Sequence, residues 1–512
     1  MPTITIPALG QYGFIADQPS QELPINALSS VSNVRCRDGM AERFSGHVQI
    51  FDTPSVTPYF VAPYGTSTKR YWIHSGIANT YADDGTTRTD ITGTAFTGTV
   101  DDKFTGGSLH GLFILNNGVD QPKYWDGNTA NNLATLTAWD ANWRVKFIRP
   151  FKNFLIYGFP TKSGTAYPHT LGWSAPADPG TPPTTYDPAS TSTDAGDVPI
   201  GETPDQIVDG LPLGEYFLVY KERSIYRMEY IGGQQVFAVK RVPGNIGMLA
   251  RGCAASTPKG HVVLTNGDVV LVDGVSEPQS LLDKRARRWL RRQIDTTYYA
   301  RSFVFADEEK NEVWVCYPYI GKTVCTKALV WNWVDNTLSM RDLPNVTHAA
   351  SGLLYYPASL TMDALAGTMD SLDGYIDQND YTPADSRVVM ASTTPALYLG
   401  NSGTSFAGTA ITGQIERTGL AFDDTTSVKT WRYLAPRVSA AEGTVLSIQL
   451  GGTMSPDIAV RWGAPITFTV GTDERAYGFA SGRYLAYRIY STGAQGWSVK
   501  SIDCDWAPTG KF

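Results

Sequence analysis

Cysteine is scarce and scattered: the 512-residue chain holds five, Cys36, Cys253, Cys316, Cys325 and Cys504, an odd number and never spaced Cys-x-x-Cys. That disfavours a framework of paired disulfides and a structural zinc site, and the five read as reduced thiols. Positive charge is not in excess either. Lys and Arg total 42 against 49 Asp and Glu, a net charge of -7, which argues against a surface that wraps nucleic acid as a whole. No stretch approaches the roughly 18 consecutive apolar residues of a spanning helix, and the amino terminus MPTITIPALGQYGF has no basic segment followed by an apolar one. Neither an export signal nor a membrane anchor is therefore expected.

Rings and turn residues are what the chain has in quantity. With 27 Tyr and 13 Trp beside 49 Gly and 31 Pro, the composition favours many short strands, because rings suit half-buried pleated surfaces while Gly and Pro supply turns. Period-two alternation broken by turns dominates from about Tyr71 to Leu343. The recurring unit is a strand pair. Its copies are 71–76 with 80–85, 112–118 with 122–127, 154–158 with 171–176, 216–220 with 224–229, 261–267 with 269–274, and 312–316 with 328–333; Leu372–Asp377 is a further candidate. Asp84-Gly85 provides the positive φ that a tight turn requires. Six or seven such units at a spacing of roughly 40 to 60 residues predict radial blades, a six- or seven-bladed β-propeller, with tandem β-sandwiches as the rival arrangement.

Two weakly patterned segments punctuate the chain. Residues 175–204 are dense in Pro, Asp, Ser and Thr and predict a long exposed loop inside a blade. Residues 383–412 are small, polar and glycine-rich, and beyond them alternation resumes at 410–415, 431–434, 445–450 and 484–490. The expected organisation is an all-β chain with a propeller over 1–395 and a β-sandwich over 396–512. Helix is expected only as a short basic segment, 281–294, with Leu282, Ala286, Trp289 and Gln293 on one face.

Several phrases of the chain resemble the β-propeller tail hub, or nozzle, proteins of short-tailed bacteriophages. They are Gly172-Trp-Ser-Ala-Pro-Ala-Asp-Pro179, Leu218-Val-Tyr-Lys-Glu-Arg-Ser-Ile-Tyr226, the Asn-Gly-Asp-Val segment 266–269, and Ser481-Gly-Arg-Tyr-Leu-Ala-Tyr-Arg488 with Trp497. The stretch Gly13 to Ser45 looks like that family's opening segment, which in many propellers supplies a strand to the last blade. The resemblance implies a structural virion protein of the tail, assembled in the host cytoplasm as a homo-oligomeric ring, expected to be a hexamer. Such a ring extends the DNA channel below the portal and the head-to-tail adaptor, contacts tail fibre or spike proteins, and helps to retain and then release the genome. DNA would pass through it without sequence-specific binding.

A search for chemistry returns little. No GxSxG, HExxH, GxxxxGK[ST] or GxGxxG string occurs, and His47, His74, His110, His169, His261 and His348 are isolated. No catalytic residue, metal ligand or cofactor site is assigned, and no enzyme activity is expected. Asp83, Asp84 and Asp90, and Asp373, Asp377 and Asp380, could be taken for calcium loops, but their spacing is not that of an EF-hand and hairpin turns explain them. Ser192-Thr-Asp-Ala-Gly196 resembles the first half of the Asp-box turn of sialidase-type propellers, with Val198-Pro199 where that turn continues Thr-Trp. A sialidase-like or glycan-binding propeller is accordingly the alternative function. The strongest local charge is the run Lys284, Arg285, Arg287, Arg288, Arg291 and Arg292. Arg287, Arg288, Arg291 and Arg292 are the candidate assembly contact, on a helix whose other face packs on the blades.

Overall fold

The computed structural model describes residues 3–190, 192–233, 235–353 and 386–511. All six strand pairs located by alternation are antiparallel, each the middle pair of a blade. Five of the sheets are separate: the strands between 60–90, 105–135, 143–199, 207–241 and 254–280. Gly85 takes φ +91° in the turn that follows Thr80–Asp83, as its Asp-Gly pair requires. A sixth blade runs Phe303–Asp307, Glu312–Pro318, Cys325–Asn332 and the start of Thr337–Leu353.

The last of these strands serves two blades. Its first half is the outer strand of blade six, and beyond a register shift at Val346 its second half pairs with Ser386–Ser392. Ala396–Gly400 follows, and His47–Ile50 from the amino-terminal region completes the four strands of blade seven. Hydrogen bonds carry the ring round its axis. The Ile148 amide donates to Thr105 Oγ1 at 3.2 Å, Arg149 binds Asp209, the Gly252 amide donates to Asp209 at 2.9 Å, and the Val304 amide donates to Gly252 O at 2.9 Å. Ser351 bonds Ala306 O, and the Val61 amide donates to His348 Nδ1 at 3.3 Å, which returns the circuit to blade one. The chain is a seven-bladed β-propeller with a β-sandwich attached. Closure leaves only short protected edges, and rings fill the wedges between blades, as where Tyr64, Tyr71 and Phe113 surround Trp125. Leu372–Asp377 and Asp373, Asp377 and Asp380 lie outside the described residues.

Three sequence expectations are corrected. The boundary that put 1–395 in the propeller does not hold at either side. Thr3–Ile6 pairs with Trp497–Lys511 and Ser30–Ser32 with Gly413–Leu420, so the sandwich draws on both ends of the chain, while 396–400 belong to blade seven. Pairing across hundreds of residues leaves no local trace in composition. The loop 175–204 is not wholly exposed. Gly196–Pro199 is the outer strand of blade three, and Tyr186 is buried against Trp139, with centroids 4.7 Å apart, while its carbonyl accepts from the Tyr157 hydroxyl at 3.1 Å. One ring and a few alanines anchor the loop without any periodicity. The basic helix is shorter than 281–294: only Arg287–Gln293 is helical, because Lys284 adopts φ +58° and interrupts the run. Leu290 is its buried residue, Leu282 and Ala286 ahead of it are buried too, Trp289 is half-buried, and no helix among the described residues is long and apolar enough to cross a membrane.

The hairpin Val34–Arg37 and Met40–Arg43 joins the two parts. Val34 pairs with Met340 of blade six, while Ala41 and Glu42 pair with Val499 and Ser498 of the sandwich. One continuous sheet therefore passes from the propeller into the sandwich.

Candidate functional site

The basic segment lies in the connection between blades five and six. Leu282, Ala286 and Leu290, four apart, turn into a core shared with Val304, Val313 and Leu329. That packing leaves Arg287, Arg288, Arg291 and Arg292 exposed. The amino-terminal region holds the helix in place. Asp17 Oδ1 accepts from the Trp289 amide at 2.9 Å and Oδ2 from the Arg288 amide at 2.5 Å, which satisfies two donors that a first turn leaves open. Phe14 meets Trp289 edge-on at 5.0 Å.

Arg287 pairs with Asp268 at 3.2 Å. The side chains of Arg288, Arg291 and Arg292 have no hydrogen-bond or ion-pair partner among the described residues. Arg287, Arg288 and Arg291 line a shallow pocket of about 350 Å3 together with Lys284, Asp17 and Gly267. The structure thus gathers three of the four expected contact residues into one pocket, with Arg292 beside them on the same short helix. The three unpaired guanidinium groups form a local cationic surface on an acidic protein, and Arg suits planar carboxylate or phosphate partners.

Several titratable groups serve the fold. His47 and His74 are pushed down to about 3 by burial, with Arg341 and Arg88 adding to the effect, and burial lowers His261 to about 4. Each stays neutral at pH 7 and none is poised as a proton shuttle. All five cysteines are buried free thiols, and burial raises Cys253 to about 11. Asp83 pairs with Arg88 at 2.9 Å, and Asp84 accepts from the Thr86 and Thr87 amides, so these carboxylates build a turn. In the half Asp-box, Asp194 O accepts from Trp173 Nε1 at 2.7 Å and the chain passes directly into Gly196–Pro199. Among the described residues no three His, Cys, Asp or Glu side chains are grouped as metal ligands.

Sequence reasoning missed an inward cluster at the propeller axis. Lys103, Arg149, Arg251 and His348 line a cavity of about 280 Å3 where the chain enters the inner strands. Lys103 and Arg251 stand just before Thr105–Leu109 and Ala254–Thr257, positions that read in sequence as solvated loop charges. Only the cyclic arrangement of blades brings them together.

No family model and no curated protein matches the sequence. Among solved structures, the WD40 β-propeller domain of Doa1 is similar at 12% identity and TM-score 0.34, with 73% of this chain and 95% of that chain covered. The Neurospora crassa Pan2 WD40 domain is similar at 8% identity and TM-score 0.37, over 70% of this chain and 94% of that one.

Proposed function

We propose that this chain is a structural subunit of a short-tailed phage tail, a hub or nozzle protein that assembles into a ring, expected to be a hexamer. In that role it extends the DNA channel below the portal and adaptor, retains the genome and then lets it pass, and has no enzymatic activity. The observation that carries this reading is the joining of propeller and sandwich through one continuous sheet, with an arginine-bearing helix clamped to its outside by Asp17. A ring subunit must transmit force between neighbours without hinging, and strand pairing across the junction provides that stiffness. Unpaired arginines suit contact with acidic partners better than a channel wall, where strong phosphate binding would hold back DNA. Exposed apolar side chains in the sandwich, Phe479 at 83% and Ile458 at 62%, favour protein contacts as well. The phrases that resemble the phage family are what points to this assembly.

The test is electron microscopy of the purified chain, alone and mixed with portal–adaptor complexes. Rings with a central channel that dock on the adaptor are expected. Replacing Arg287, Arg288, Arg291 and Arg292 together by Ala should weaken docking while leaving the melting temperature within about 2 °C, since exposed arginines add little to stability. A chain that remains monomeric beside the adaptor, or that turns over sialosides, refutes the proposal.

A further inference from the structure

The axial cavity holds more positive than negative charge. Asp209 is fully buried, and its carboxylate is occupied by Arg149 at 3.1 Å and by the Gly252 and Gly210 amides at 2.9 and 2.8 Å. The two remaining cations have no such partner. Lys103 Nζ donates to two neutral carbonyls, Arg251 O at 2.8 Å and Ser302 O at 2.5 Å. Arg251 donates from Nη1 to Lys146 O, and its other guanidinium nitrogens have no partner among the described residues. Three basic side chains stand around one saturated carboxylate, with Asp102 as a further acidic neighbour of Arg251, and the lining keeps more basic than free acidic groups. Positive groups gathered in one partly enclosed cavity favour an anion as their counter-charge. Burial brings Arg251 down to about 10, so it stays protonated at neutral pH.

His348 contributes a donor of another kind. Its Nδ1 accepts from the Val61 amide, which places the proton of the neutral ring on Nε2. Burial first, then Lys103 and Arg149, hold the ring down to about 3, so it is uncharged across the physiological range. Lys103, Arg251 and His348 are each only half-buried, so water and small solutes reach them.

We infer that the propeller axis binds a small oxyanion of the phosphate class, with Arg251 and Lys103 as its charged partners and His348 as a neutral donor. Several donors converging from different sides suit the multiple oxygens of an oxyanion better than chloride. A volume of about 280 Å3 admits a tetrahedral oxyanion with its waters but no polymer. The site lies on the axis of one propeller, independent of the outer arginine helix and of any ring.

The experiment is thermal unfolding and calorimetric titration of the full chain with sodium phosphate, against sodium chloride at matched ionic strength. Phosphate should raise the melting temperature saturably and chloride should not. Arg251→Met should weaken phosphate binding at least tenfold, while the fourfold Ala variant at Arg287, Arg288, Arg291 and Arg292 should bind as the unmodified chain does. A measurement that needs no variant uses arsenate: crystals of the unmodified protein grown with it should show anomalous density within hydrogen-bonding reach of Arg251 and Lys103. Equal responses to phosphate and chloride, loss of binding in the helix variant but not in Arg251→Met, or arsenic confined to the outer surface would each overturn the assignment.

Discussion

His74 is fully buried beside the ring of Tyr81, 5.4 Å between centroids, and neither of its nitrogens has a partner among the described residues. His47 and His261 are also buried, and all three titrate near 3 to 4 in the fold. An unfolded histidine titrates near 6.5, so below that pH the unfolded chain takes up protons that the folded one excludes. Their contribution therefore lowers stability as pH falls from about 6.5 towards 4. Asp307 works in the opposite sense: burial and then the neighbouring Glu312 raise it to about 6, so the folded state keeps a proton that the unfolded state has released between about 4 and 6. With His348, held down to about 3 as well, four histidines against one carboxyl leave an uptake of about three protons on unfolding, a loss of about 4 kcal/mol per pH unit across that window. Urea midpoints between pH 7 and 4.5 should show this slope, and His74→Phe should reduce it by about one proton. A slope unchanged in that variant would show that His74 is protonated in the fold.

Between elements, the strongest polar link is the group around Arg35. Arg35, on the joining hairpin, pairs with Glu312 of blade six through Nε and again through Nη2 to Oε2 at 3.1 Å, and both side chains are buried. Asn401, just after the third strand of blade seven, accepts from Arg341 at 2.7 Å and donates to Asp307 at 2.7 Å. Removing one member of a buried ion pair leaves an uncompensated charge, so Arg35→Met should cost about 3 to 5 kcal/mol in urea unfolding. Restoring balance with Glu312→Gln in the same chain should recover a large part of that loss, and no recovery would mean that Arg35 acts through packing alone. None of this network is visible in the sequence, where residues 35, 312, 341 and 401 are isolated polar positions. The central hairpins of blades one to six were legible, because alternation and Asp-Gly turns are local signals. Inner strands such as Ala254–Thr257 and Thr105–Leu109 were not, since small residues near the axis carry no periodic contrast. The spacing of Leu282, Ala286 and Trp289 marks the arginine helix in the sequence, but its length depends on Lys284 and on the cap from Asp17, which is remote in sequence.

For the molecule as a whole, the amino-terminal fifty residues decide how far the two parts are separable. They give the sandwich Thr3–Ile6 and Ser30–Ser32, give the junction its hairpin, and give blade seven the outer strand His47–Ile50. Arg43 adds side-chain ties, donating to Ala494 O at 3.0 Å, Gln495 O at 2.9 Å and Thr404 O at 2.7 Å. A propeller without its closing strand exposes an open sheet edge, and a sandwich without its borrowed strands exposes its core. Neither part is then expected to be stable apart from the other. Scanning calorimetry of the full chain should show one transition with calorimetric and van't Hoff enthalpies in agreement, although two-domain chains of this length commonly show two. Deleting residues 1–50 should abolish cooperative melting of both parts. Fragment 413–511 alone should lack a folded spectrum, and its strands should gain protection from hydrogen exchange only when the amino-terminal segment is supplied. Two well-separated transitions in the full chain, or a folded isolated sandwich, would show that the shared sheet joins the parts without coupling their stability, and the stiffness invoked for a ring subunit would lose its basis.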